Sequence, residues 1–261
     1  MRVRASLLLT VATLTAVALA QSPTGSAATP AAPGSGIQPA LAALAAGLLK
    51  EASPATAPAP RPAPHRLAVV RGQIRLSDSP GGPARLSVGS TTEFGSRQVL
   101  GVAAQRGDWL GVVSTARPNN ELGWVRRGSP GLQVRRTRWS LHADLSARTL
   151  TLRRHGRRVH RLTVAIGRPG SETPTGRFAV TDKLSGSRYG AYYGCCVLAL
   201  SGHQPNLPPG WTGGNRLAIH GTDSPSSIGA AASAGCLRAG DGDLRVLMAK
   251  VPLGAPVFVR P

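Results

Sequence analysis

Acidic residues are the first thing this 261-residue chain has little of: 11 Asp and Glu stand against 31 Lys and Arg, a formal charge of +20. Residues 1–65 hold only Arg2, Arg4, Lys50 and Arg61 as basic groups, so the excess belongs to the rest of the chain. A field of that sign attracts polyanions at long range. Aromatic residues are also scarce, at 4%, and do not alternate with the arginines. Single-stranded nucleic acid is held by stacking on such rings. Nucleic acid is therefore not expected as a partner, and acidic cell-wall polymers or lipid headgroups remain. The three cysteines come with no C-x-x-C or H-x-x-x-H set, which argues against zinc; no metal and no cofactor is expected. No internal repeat is visible, and no apolar run reaches the ~20 residues that cross a bilayer.

What is present begins with MRVR, the apolar run ASLLLTVATLTAVALA, and Ala18-Leu19-Ala20 before Gln21. That order of charge, apolar core and small residues is a secretory signal peptide over residues 1–20. A secreted protein of the periplasm or cell wall is expected, with no mature transmembrane segment. No cysteine follows the cleavage point, so no lipid anchor is expected either. Residues 21–65, rich in Pro, Ala, Ser and Gly, form a semi-extended linker in this reading. Within it, Pro39 to Ala52 has the Ala and Leu content of a helix too short to stand alone.

From 66 to 137, short alternating apolar segments ("RLAVV", "QVLGVAA", "WLGVVST", "LGWVRR") are separated by Gly, Pro, Asn and Asp turns. This is the pattern of a small antiparallel barrel, in which Trp109 and Trp124 are packing residues. From Trp139 a second series begins. Leu141, Ala143, Leu145, then Leu150 and Leu152, then Leu162, Val164 and Ile166 alternate with polar neighbours, which predicts an antiparallel meander with one face buried. Strands are also expected at "GRFAVTD", "CVLALSG", "RLAIHG" and "APVFVR". One helix is expected, "DGDLRVLMAKV", burying Leu244, Leu247, Met248 and Val251, with Asp241 as its cap. The fold class is mostly β, with one or two short helices.

His220 ends an apolar strand signal, and Cys236 follows sixteen positions later, after small residues that could form one or two helical turns. If the segment folds back, imidazole and thiol meet at a sheet edge. A free thiol has a pKa of about 8.5, and a neighbouring histidine raises its thiolate fraction. Amides around Gly235 and Cys236 could hold an oxyanion. Residue types alone leave a buried structural cysteine and a satisfied core histidine as the commoner reading.

The strings "IHGT" and "SAGCLR", with "ETPTGRFAV" and "GWTGGNRLAIHG" before them in order, resemble the signature of the YkuD-type L,D-transpeptidases over about residues 138–261. "GDWLGV" and "ELGWV" resemble a bacterial SH3-like domain over residues 66–137. The first resemblance implies a β-sandwich-like catalytic domain acting on peptidoglycan stem peptides. Cys236 would attack the carbonyl of the third, diamino-acid residue of a donor tetrapeptide and expel D-alanine. An amine on a neighbouring stem would resolve the thioester into a 3-to-3 cross-link. His220 would be the general base, with Gly221, Ser233, Gly235 and Arg238 completing the signature, and carbapenems would acylate the same thiol. Many members carry a second histidine just before Gly-Cys; here Ala234 stands instead.

Two alternatives stay open. Water resolving the thioester would make an L,D-carboxypeptidase, and loss of the second histidine would suit a catalytically degenerate wall-binding protein. A papain- or NlpC-type peptidase is disfavoured, because there the cysteine precedes the histidine. Tyr193, in the loop Tyr189 to Tyr193, is expected to line a substrate groove under a mobile lid. The adjacent Cys195 and Cys196 are either a vicinal disulfide or two reduced thiols; in the first case Cys236 is the free one.

Overall fold

A computed structural model describes residues 62–261. The leader, the linker up to Arg61 and the Pro39 to Ala52 helix lie outside the described residues. Seven strands come first: β1 His65–Val70, β2 Ile74–Ser77, β3 Ala84–Val88, β4 Val99–Arg106, β5 Trp109–Val113, β6 Gly123–Arg126 and β7 Leu132–Thr137. They form one sheet in the order β3-β2-β6-β5-β4-β1-β7, closing on Ala68, Val70, Leu76, Leu100, Leu110 and Val112. Gly107, at φ 54, lets a two-residue turn join β4 to β5, a conformation that costs glycine least. Trp124 is buried, with the Arg106 guanidinium 5.1 Å from its ring centroid; Trp109 is half-buried.

An eight-stranded sheet follows, built from β8 Trp139–Asp144, β9 Thr149–Arg154, β10 Arg157–Thr163, β12 Gly176–Ser185, β13 Cys196–His203, β14 Arg216–His220, β16 Leu237–Arg238 and β17 Pro256–Arg260. Two short strands, β11 Ile166–Gly167 and β15 Ala231–Ser233, pair with each other in parallel. The order is β10-β9-β8-β17-β12-β13-β14-β16. The expected meander is β8 to β10, and the four strand segments are β12, β13, β14 and β17. Their inner-face residues, including Leu141, Leu152, Phe178, Leu198, Ile219 and Val257, pack against Leu244 and Leu247 of the helix α1, Asp241–Lys250.

One local expectation is corrected and a second is met in part. Gly240, not Asp241, is the helix N-cap, and no side chain caps the end. The Asp241 carboxylate instead accepts the Cys195 backbone N–H at 3.0 Å. The segment before Cys236 makes one 3-10 turn, Pro225–Ser227, and then the strand β15. Gly229, at φ 88, ends the turn, and Ile166 offers the ladder partner, so pairing overrides the helical preference of alanine.

The seven-stranded sheet rests on the outer face of the eight-stranded one. A Cβ on Gly101 of β4 would lie 2.9 Å from Ala179 Cβ on β12, so only glycine allows this approach. Arg177 of β12 donates to the carbonyls of Val102 and Ala103, at 2.6 and 3.0 Å. Leu67, Val69 and Val99 close on Leu253.

Candidate active site

β14 and β16 run parallel, with Ile219 opposite Leu237 and His220 opposite Arg238. Residues opposite one another on paired strands share a face, and neighbours along a strand alternate. Ile219 and Leu237 point into the core, so His220, Arg238, Cys236 and Ala218 share the outer face. Imidazole and thiol therefore lie on one face of the β14–β16 edge, where both line the same small cavity.

Cys195 and Cys196 are joined by a disulfide, and Cys236 is the free cysteine. Its turn is held from two sides. Ser233 Oγ donates to the Cys236 carbonyl at 2.6 Å and accepts the Gly235 N–H at 3.0 Å. The buried Gln204 amide donates to the carbonyls of Ser171, Glu172 and Ala234 at 3.0–3.2 Å. Gly235 has φ 117, and a Cβ there would lie 1.9 Å from Gln204 Nε2, so this position admits only glycine. The Gly235 N–H is thus engaged, which removes it from the expected pair of oxyanion donors and leaves the Cys236 amide. Ser233 shapes the turn, and sequence alone did not single out Gln204.

His220 is almost wholly buried. Its Nδ1 lies 2.6 Å from the Gly221 carbonyl oxygen. A carbonyl only accepts, so Nδ1 carries the proton and Nε2 keeps its lone pair. Gly221 is required here because a Cβ would sit 2.6 Å from Asp241 Oδ1 and 2.8 Å from Gly194 Cα. Burial, with the Arg238 charge adding to it, pushes the imidazole down to about 4, so it is neutral at pH 7. Burial pushes the Cys236 thiol up to about 11, against the pull of the Ala218 backbone hydrogen bond and Arg238. The thiol lies 3.9 Å from the Arg216 carbonyl, its acceptor. A raised thiolate fraction was expected; the closed site holds a neutral pair, because desolvation outweighs the neighbouring charges.

The site is closed by aromatic rings. Tyr193 and Tyr192 lie 4.9 and 5.6 Å from the His220 ring centroid, and Tyr192 packs edgewise on Trp211. Arg238, buried rather than on the surface, donates to the Tyr192 hydroxyl and sits under its ring. The cavity lined by both tyrosines, Trp211, His220, Ala234 and Cys236 measures about 40 Å³, and Cys236 is half-buried. Ligand pockets run to ~300–1,000 Å³, so this cavity is small for a bound ligand. Glycines at φ 97 (Gly190) and φ 56 (Gly194) flank the second 3-10 turn of the tyrosine loop, Ala191–Tyr193. Tyr193 lines the cavity with His220 and Cys236. Tyr192 and Trp211 line it too; Tyr192 lies in the same tyrosine loop and Trp211 in the string "GWTGGNRLAIHG".

A family model described as the YkuD L,D-transpeptidase catalytic domain matches residues 138–259. A Bacillus licheniformis protein named as an L,D-transpeptidase, YkuD, is 33% identical over 125 residues, covering 47% of this chain and 66% of its own length. The Bacillus subtilis protein of the same name is 32% identical over 123 residues, covering 46% and 65%. The chain thus spans just under two thirds of these relatives. Among solved structures, L,D-transpeptidase 3 from Mycobacterium tuberculosis is similar with a TM-score of 0.39 and 17% identity, over 54% of this chain and 75% of that one. Bd1075 from Bdellovibrio bacteriovorus has a TM-score of 0.38 and 23% identity, over 48% of each.

Proposed function

We propose that this chain, whose residues 138–259 match the YkuD L,D-transpeptidase catalytic domain, is an L,D-transpeptidase that forms 3-to-3 peptidoglycan cross-links through a thioester on Cys236. The observation that carries the reading is that the free thiol lines one cavity with an imidazole whose Nδ1–H is committed to the Gly221 carbonyl. That commitment leaves Nε2 as a base. In the forward step Nε2 takes the thiol proton as Sγ attacks the carbonyl of the donor's third residue. The C–N bond to D-alanine breaks, and the imidazolium returns the proton to the departing amine. An acceptor amine then attacks the thioester, loses its proton to His220, and the thiol leaves with that proton. The Cys236 amide is the donor assigned to the oxyanion.

Incubation of the full chain with a disaccharide tetrapeptide tests this reading. The expected products are free D-alanine and a 3-to-3 linked dimer, both lost in Cys236→Ala. Tripeptide without dimer would make the enzyme an L,D-carboxypeptidase, and no release of D-alanine would favour a degenerate wall-binding protein. Secretion rests on the leader-like residues 1–20, and the SH3-like assignment of residues 66–137 rests on "GDWLGV" and "ELGWV". Anionic wall polymers are the partner that the charge suggests. A cleft of about 810 Å³ over the outer face of β8, β9 and β17 supports it, lined by Arg153, Arg158, Arg161, Arg177 and Arg260 against the one carboxylate of Asp144. Retention on teichoic acid should weaken steeply with salt; salt-independent retention would contradict charge as its cause, and no retention at low salt would remove the polymer as a partner.

A further inference from the structure

The catalytic face is not built by the eight-stranded sheet alone. Between β3 and β4, the turn Thr92 to Ser96 closes on itself, with Thr92 N–H donating to the Ser96 carbonyl at 2.8 Å and Gly95 at φ 83. The Thr92 hydroxyl donates to the buried Asp182 carboxylate of β12, which pins the turn to the catalytic sheet. Two side chains then reach the site. Glu93 pairs with Arg216 at 2.8 Å; Arg216 is the residue whose carbonyl accepts the Cys236 thiol. Phe94 packs on the cluster of Leu184, Val197 and Ala218 that Cys236 and Tyr193 also join. It lies under the Arg216 guanidinium and meets Tyr189 edgewise, with ring centroids 6.3 Å apart. Tyr189 in turn meets Tyr193 at 6.0 Å. A continuous run of rings thus leads from the first sheet, across the lid, to the catalytic histidine.

We propose that the Thr92 to Ser96 turn is the seat on which the tyrosine lid closes, with Phe94 as the contact surface and Glu93 as the clamp on Arg216, so that the first sheet governs access to Cys236. Both are positioning residues; neither touches the reacting atoms. The lid's closed state desolvates the thiol and its base, and weakening the seat shifts the population towards the open, wetted site. The proposal takes Cys236 as the nucleophile of the preceding section, but its main readout needs only the thiol.

The test is the rate at which iodoacetamide alkylates Cys236 in the full chain at pH 7.5, followed by intact mass with the vicinal disulfide left oxidised. Phe94→Ala is expected to react about three- to tenfold faster than wild type, the shift that loss of one edge-to-face contact sustains. Phe94→Tyr restores the slow rate. The same Phe94→Ala chain should show a lowered KM for donor tetrapeptide at nearly unchanged kcat, because more of it is in the open, binding-competent state, a split that general loss of structure would not give. Alkylation of Phe94→Ala within twofold of wild type, at an unchanged melting temperature, overturns the proposal. Should Phe94→Ala not fold, Glu93→Gln decides, since its side chain is half exposed. It is expected to react about twofold faster, and a wild-type rate overturns the proposal. If wild type turns over no stem peptide, the transpeptidase reading fails while the alkylation comparison still decides the seat.

Discussion

At the scale of single residues, the site is governed by desolvation. His220 loses its charge on burial, since its pKa falls from 6.5 to about 4. The unfolded imidazole would protonate near 6.5, so between pH 6.5 and 4 the unfolded state takes up a proton that the folded state refuses. Stability from this group is complete above 6.5 and is lost as pH falls towards 4, a change on the order of 3 kcal/mol. His142, half-buried beside arginines, is pushed down to about 4, chiefly by desolvation, and adds to the same window. Thermal melts should therefore show the melting temperature falling from pH 6.5 to 4, with a shallower fall in His220→Asn. Equal slopes in the two proteins would contradict the neutral buried imidazole. Cys236 acts at the other end: its stabilising contribution is present below the ordinary thiol range and is lost as pH rises through about 11.

Among elements, the β14–β16 pair and the turn behind Cys236 decide the geometry. Both ends of the pair were legible in "IHGT" and "SAGCLR", and the strand segments were legible from period-two alternation, because alternation is a local consequence of one buried face. Pairing across long separations is not local. That β17 inserts between β8 and β12, parallel to β8, leaves no mark in the periodicity of either strand. Nor does Gln204, whose meaning lies in three carbonyls more than 29 residues away in sequence. The alanines before Cys236 misled for the same reason: propensity favours a helix, but Ile166 supplies a ladder. Gln204→Ala leaves the Cys236 turn without its central donor. Acylation of Cys236 should slow by about tenfold or more, since small misplacements of a nucleophile are costly, while alkylation by iodoacetamide persists. An acylation rate equal to wild type would show that Ser233 alone holds the turn.

For the whole molecule, one face of the eight-stranded sheet carries three features in a row: the arginine cleft at the β10 end, the seven-stranded sheet over the middle, and Cys236 with His220 at the β16 edge. Composition located the charge in the folded part but not on a face. The contact of Leu67, Val69 and Val99 with Leu253, and of Phe94 with the lid, means that residues 138–261 alone would expose apolar surface and lose the lid's seat. Experiments on catalysis therefore belong to the full chain. Incubation with a carbapenem, whose strained carbonyl stands in for the donor peptide carbonyl, followed by intact-protein mass spectrometry, tests the central claim most directly. Wild type should gain one adduct, Cys236→Ala none, and His220→Gln should acylate at least ~100-fold more slowly, as loss of a general base requires. An adduct that survives Cys236→Ala, or a folded wild-type chain that takes none, would contradict the assignment of Cys236 as the nucleophile.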